Sequence, residues 1–218
     1  MSTKATIIIA LLFVILAVVI NIYLYPILPD QLASHWNTQN QADGYMSKFW
    51  ALFLMPIITM VMLVLFLAIP KIDPLKNNIQ KFRRYFNEFF ALLILFLFYI
   101  YGLTITWHLG IKFNMSQALV PALGILFFYI GVLLKYVKRN WFIGIRTPWT
   151  LSSDKVWEKT HNLGGKLFKI SGIIAILGIL FPNELIYIAI APIFLSSVYT
   201  IIYSYLEHKK LKINEPSN

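Results

Sequence analysis

Long stretches without a charged side chain constrain this sequence more than any other feature. Ala5 to Leu24, Trp50 to Ile69, Phe89 to Leu109, Ser116 to Leu134 and Leu185 to Leu206 all lack Asp, Glu, Lys and Arg. A helix needs about 20 apolar residues to cross a hydrocarbon core roughly 30 Å thick, and each of these runs is long enough. Leu167 to Phe181 is shorter and contains Lys169. It reaches spanning length by extending backwards as helix, and Pro182-Asn183-Glu184 then forms a tight turn. A re-entrant hairpin is the alternative for this last pair. The first run is no signal peptide: it is longer than an ordinary h-region, no small-x-small cleavage site follows, and Tyr25-Pro26 ends it. The expectation is an all-α polytopic membrane bundle of six transmembrane helices.

Composition agrees. Of 218 residues, 59% are hydrophobic and 13% charged, against about 45–50% and 25% in soluble domains. The chain has no cysteine, which removes disulfides, thiol catalysis and cysteine metal sites. The net charge of +10 is a topology signal rather than a nucleic-acid footprint. With six spans, all basic residues but Lys48 and Lys112 fall on the side of the termini. The positive-inside rule therefore predicts both termini in the cytoplasm of a multi-pass cell-membrane protein. The lipid bilayer is its first partner, with no direct nucleic acid.

Four regions follow. Residues 1–70 form a two-helix membrane region whose outer loop, residues 25–48, is ordered. Residues 71–115 hold the third helix and its connections. Residues 116–207 form a second membrane region with a cytoplasmic loop at residues 135–166, and residues 208–218 a polar tail. In the outer loop Pro26 and Pro29 restrain the backbone, and Asp43-Gly44 is a turn signal. Its polar residues could converge on an outside ligand, and Asp30, His35, Asn37, Asp43 and Tyr45 are the candidate ligand-binding residues. The simpler reading sets Trp36 and Tyr45 at headgroup level and leaves His35 solvated. A metal site of His35 with carboxylates lacks diagnostic ligand spacing, and neither a metal nor a cofactor is assigned.

The cytoplasmic loop carries Trp141, Trp149 and Trp157 with Phe142. Ser152 or Ser153 can cap a short helix from about Asp154 towards Leu163, with Asp154 favourable in its first turn. On it Trp157 and His161 share one face, Lys155 and Lys159 another. Gly164-Gly165 then loosens the start of the fifth span or lets helices approach closely. An interfacial helix with tryptophan anchors and snorkelling lysines accounts for much of this. Arg146, between a glycine and a proline, has no anchoring reason. Asn140, Arg146, Thr147, Trp149, Trp157 and His161 are therefore the candidate transducing or partner face.

Within the spans, Asn21, Thr104, Thr106, Ser171, Ser196, Ser197 and Thr200 suit interhelical hydrogen bonds. Glu88 and His108 mark opposite ends of the third span, and a site shared by His108 and His35 is conceivable. No ionisable residue sits near a midplane, where a functional one would be expected in a pump or relay. H-E-x-x-H, G-x-S-x-G and phosphate-cradling glycine loops are absent from the sequence, so no catalytic residue is assigned and the chain is read as a non-enzyme. A small transporter or exporter of a peptide or apolar solute is the alternative to a binding protein, though no inverted repeat is visible.

Two motifs carry a resemblance. Tyr25-Pro26-x-x-Pro29-Asp30-Gln31 with His35-Trp36-Asn37 and Asp43-Gly44-Tyr45-x-Ser47-Lys48 resembles a small bacterial membrane domain of unassigned role. Asn140-Trp141-Phe142-x-Gly144-Ile145-Arg146-Thr147-Pro148-Trp149-Thr150, with Val156-Trp157-x-x-Thr160-His161 and Gly164-Gly165, is similar to the hallmark of the SdpI immunity-protein family. The second membrane region is thus SdpI-like. The resemblance implies protection against a secreted, membrane-active peptide toxin. It also implies signalling, in which a cytoplasmic transcriptional repressor is held at the membrane.

Overall fold

The computed structural model describes residues 1–214. Its elements are α1 (Thr3–Leu24), β1 (Gln31–Trp36), β2 (Ala42–Ser47), α2 (Lys48–Ile72), α3 (Lys76–Lys81), α4 (Arg83–His108), α5 (Met115–Tyr136), α6 (Pro148–Ser152), α7 (Asp154–Leu177) and α8 (Leu185–Asn214). A 3₁₀ turn, Gly178–Leu180, extends α7. Six of the helices are long and apolar enough to cross a membrane: α1, α2, α4, α5, α7 and α8. In hydrocarbon every backbone polar group must be satisfied internally, and helices meet that requirement. The sixth run reaches spanning length by growing backwards through Lys169 to Asp154, and α8 follows the Pro182 turn as a long helix, so both are long enough to cross and neither has the shortness of a re-entrant hairpin.

The helices form two packed units. α1, α2 and α4 pack on one another, as do α5, α7 and α8, and α4 joins the two by packing along α5. In the first unit a polar triad sits within the apolar packing of Ala17, Leu24, Leu52 and Ile105. The Asn21 amide donates to the Leu52 carbonyl (2.8 Å) and its Oδ1 accepts from Tyr101 Oη (2.6 Å), tying α1, α2 and α4 together. In the second unit glycines bring backbones together. A Cβ built on Gly124 would lie 2.7 Å from the Gly172 carbonyl oxygen, and one on Gly131 2.7 Å from that of Gly165. Antiparallel α5 and α7 therefore touch main chain to main chain at two points, as small residues allow in membranes. Gly164-Gly165 serves close approach and does not loosen the helix. Ser171 and Ser196 add an α7–α8 hydrogen bond of 2.9 Å.

Two local expectations change. Residues 154–163 form no separate interfacial helix. They are the start of α7, capped by Ser153 as predicted, with Val156, Trp157, Thr160 and His161 buried against protein. The separate short helix is α6. The outer loop is a two-stranded antiparallel hairpin whose turn is not at Asp43-Gly44. The turn lies between Trp36 and Ala42, where Asn40 takes the positive φ of 60°. Gly44 instead pairs with His35 across an irregularity in register, where an added Cβ would meet the His35 Cβ at 2.8 Å. The predicted tail continues α8 as helix to Asn214, and residues 215–218 lie outside the described residues.

Candidate functional site

The hairpin and the 137–147 loop sit at opposite ends of the bundle. At the hairpin, β1 and β2 stand on the ends of α2 and α4. Lys48 fastens its base: the ammonium donates to the Leu28 carbonyl (2.9 Å), meets the Asp30 carboxylate (3.1 Å) and lies over the Tyr25 ring. His35 Nδ1 and Asp43 Oδ1 form an exposed pair at 2.5 Å. Asn37 Oδ1 accepts from the backbone N–H of Gln39 (3.0 Å) and of Gln41 (2.9 Å), an Asx arrangement that builds the turn. Tyr45 is exposed.

Of the five candidates the fold brings together only His35 and Asp43. Asp30 stays at the base and Asn37 is consumed by the turn. Among the described residues no third histidine or acid joins His35 and Asp43 in a metal-binding group. His108 does not share a site with His35. Its Nδ1–H donates to the Thr104 carbonyl (2.7 Å), which leaves Nε2 to accept the backbone N–H of Ala33 (2.8 Å). The histidine is a peg for β1, and Trp36 packs edge-on against Trp107 beside it at 5.3 Å. Asn40 is the residue sequence reasoning missed here. Its amide donates to the Phe113 carbonyl (3.0 Å) and its Oδ1 accepts from Met115 N–H (2.8 Å), latching the hairpin tip to the start of α5. An asparagine before a turn was the only signal.

At the other end the loop from Val137 to Thr147 has no regular structure, and side chains supply its backbone partners. Asn140 is fully buried. Its Oδ1 accepts from the N–H groups of Phe142 (2.9 Å) and Ile143 (2.7 Å), while its amide donates to the carbonyls of Lys138 and Ile143 (both 2.9 Å). Trp157 donates its indole N–H to the Val137 carbonyl at 3.0 Å. His161 stacks on Trp157 at 4.0 Å, donates from Nδ1 to the Trp157 carbonyl (2.8 Å) and accepts the Ile145 N–H at Nε2 (3.0 Å). Gly144, at φ +114°, lies against the His161 imidazole where no side chain would fit.

Thr147 opens α6 with a reciprocal capping box to Thr150, and its hydroxyl meets Ser204 of α8 at 3.0 Å. Trp149 packs against Tyr205 at 5.1 Å. The six candidates of this face thus lie in one connected structure, in two roles. Asn140, Thr147, Trp157 and His161 are buried and hold the loop, and half-buried Trp149 helps them by packing α6 on α8. Arg146 is exposed and donates to the Trp141 carbonyl (2.6 Å), with Trp141 and Phe142 exposed beside it. Sequence reasoning missed Asp73. This buried carboxylate accepts from Leu75 N–H (2.6 Å) and Trp141 N–H (2.9 Å), so the α2–α3 junction of the first unit holds the loop of the second. Asn78 reinforces the joint by donating to the Arg139 carbonyl at 2.9 Å. Nothing local in sequence reports a bond across 68 positions.

Between the two units runs a seam walled by α2 and α5 and floored by α4. It holds two apolar cavities, about 310 Å³ beneath the hairpin and about 390 Å³ beside the loop. Met46 and Trp36 border the first, Phe142 and Ile143 the second. Cavities of this size and lining suit apolar ligands.

Comparison with known proteins follows the same division. Residues 136–204 match the SdpI/YfhL protein family, and residues 12–60 match a domain of unknown function, DUF1648. The chain is 28% identical over 205 residues to the immunity protein SdpI of Bacillus subtilis (strain 168), covering 94% of this chain and 96% of that protein. No solved structure matches. The resemblance carried by the two motifs is borne out: this multi-pass membrane chain matches the SdpI/YfhL protein family over residues 136–204 and is similar along nearly its whole length to an immunity protein.

Proposed function

We propose that the chain protects a bacterial cell membrane against a secreted, membrane-active peptide toxin, acting by binding rather than by catalysis. The observation that carries this reading is the end-to-end similarity to an immunity protein. The hairpin faces outward and the loop with both termini faces the cytoplasm, in keeping with the distribution of basic residues. Of the outer candidates, the His35–Asp43 pair and the exposed Tyr45 meet the peptide while Asp30 and Asn37 hold the hairpin that presents them, and the peptide's apolar side enters the seam between α2 and α5. The loop centred on Arg146, with Asn140, Thr147, Trp149, Trp157 and His161 behind it, is the face that a transcriptional repressor engages. The Asp73–Trp141 bond supports coupling, because a peptide that spreads the two units pulls directly on the loop. Such coupling requires a peptide that binds the two arrangements unequally.

The test is survival and membrane potential of a toxin-sensitive bacterium expressing the chain and challenged with membrane-active sibling-killing peptides. Cells with the wild-type chain keep their potential and live, whereas empty-vector cells depolarise. Depolarisation of both across the peptide panel overturns the reading. Arg146→Ala at equal expression keeps protection but loses toxin-dependent recruitment of the repressor.

A further inference from the structure

At the end of the bundle that carries the loop, a cavity of about 280 Å³ lies where α3, the end of α5 and the first turns of α7 meet. Lys81, Lys135 and Lys138 line it with Arg139, Asp154 and Glu158. Arg139 and Asp154 neutralise each other at 2.8 Å. Among the described residues none of the three lysines meets a carboxylate, and Lys81 has only the neutral Asn78 Oδ1 at 3.2 Å. Three lysines therefore line one recess in which Glu158 is the one acid outside the Arg139–Asp154 pair, and the Lys135 ammonium lies over the Tyr136 ring at 5.7 Å. An excess of lysines on one membrane face is ordinary, but their convergence is not. Lys71, Lys155 and Lys166 are exposed at the same end and stay outside this cavity.

Two further facts identify the ligand. Lys135 occupies the last turn of the α5 span, so the recess lies where hydrocarbon gives way to headgroups. Leu134 lines both this recess and the apolar cavity of about 390 Å³, so a cationic pocket and an apolar one share a wall. Basic pockets between helices at this depth suit phosphate-bearing headgroups, and ammonium–phosphate bonds are charge-assisted. We propose that the recess binds the phosphate ester of an anionic phospholipid, whose acyl chain lies along the apolar cavity. The acyl chain occupies the loop end of the seam that the toxin reading gives to the peptide's apolar side, but the lysine recess is no part of that reading and its test uses no peptide.

The experiment is native mass spectrometry of the full chain in detergent, titrated with phosphatidylglycerol or with phosphatidylcholine of the same acyl chains. The wild type retains phosphatidylglycerol preferentially, and the triple variant Lys81→Gln, Lys135→Gln, Lys138→Gln loses retention by about tenfold or more. A matched triple variant, Lys71→Gln, Lys155→Gln, Lys166→Gln, retains it like the wild type. Thermal unfolding of both variants, whose altered residues are exposed, stays at the wild-type value. Equal retention of the two lipids, or equal loss in both variants, overturns the proposal. A third arm adds inorganic phosphate: unchanged lipid retention supports the phospholipid, whereas displacement makes free phosphate the ligand and overturns the lipid assignment.

Discussion

Asn140 shows what one side chain can fix in a loop without regular structure. It has no access to water and uses both ends of its amide on four backbone groups within three residues. Replacing Asn140 with Leu keeps the branched shape and leaves those groups unpaired in a buried site, where each costs on the order of 1 kcal/mol or more. The expected loss is about 3 kcal/mol of stability, read by unfolding in detergent. Asn140→Asp keeps the acceptor for Phe142 and Ile143 but sets a buried carboxylate oxygen against the Lys138 and Ile143 carbonyls, and should lose at least as much. His161→Phe preserves the stack on Trp157 and removes the acceptor of Ile145 N–H. Hydrogen exchange over residues 142–146 should rise in that variant while the rest of α7 stays protected. The grouping of these residues was legible from spacing, since Trp157 and His161 are one helical turn apart. The roles were not, because a polar residue that serves the backbone and one that serves a ligand look alike in a sequence.

The helices themselves were the most legible part, because uninterrupted apolar length is a strong signal and the bilayer admits few alternatives. The hairpin was not. Its strands are six residues each, and Asp43-Gly44 has the chemistry of a turn without being one. What decided the matter was Asn40 taking the positive φ, together with contacts to α4 and α5 more than 70 residues away. Of the glycines of α5 and α7, Gly164-Gly165 signalled close approach in sequence, whereas Gly124, Gly131 and Gly172 were silent and are equally decisive in packing. A Cβ on Gly172 would lie 2.5 Å from the Gly124 carbonyl oxygen and 2.6 Å from the Phe128 nitrogen, both backbone atoms that cannot step aside. Gly172→Leu should therefore cost about 3 kcal/mol or more through forced separation of the helices. Gly102 in α4 has open space around it, and Gly102→Ala should be neutral or stabilise by up to about 1 kcal/mol. Thermal unfolding of the two variants side by side checks the contrast.

As a whole, the molecule is two three-helix units with a β-hairpin at one end of the seam between them and an irregular loop at the other. Its orientation can be read directly because the chain has no cysteine of its own. A membrane-impermeant maleimide should label Asp43→Cys in intact cells and Lys155→Cys only after permeabilisation, and the reverse pattern would invert the proposed topology. The loop at the other end divides its labour cleanly. Its course is drawn by Asn140, Trp157, His161 and Asp73 through main-chain atoms that every amino acid carries. The exposed side chains, Trp141, Phe142 and Arg146, are not themselves needed for that course, apart from the Arg146 bond to the Trp141 carbonyl. A scaffold of this kind can be re-lettered on its outer surface without being rebuilt, so one architecture can answer to different interlocutors.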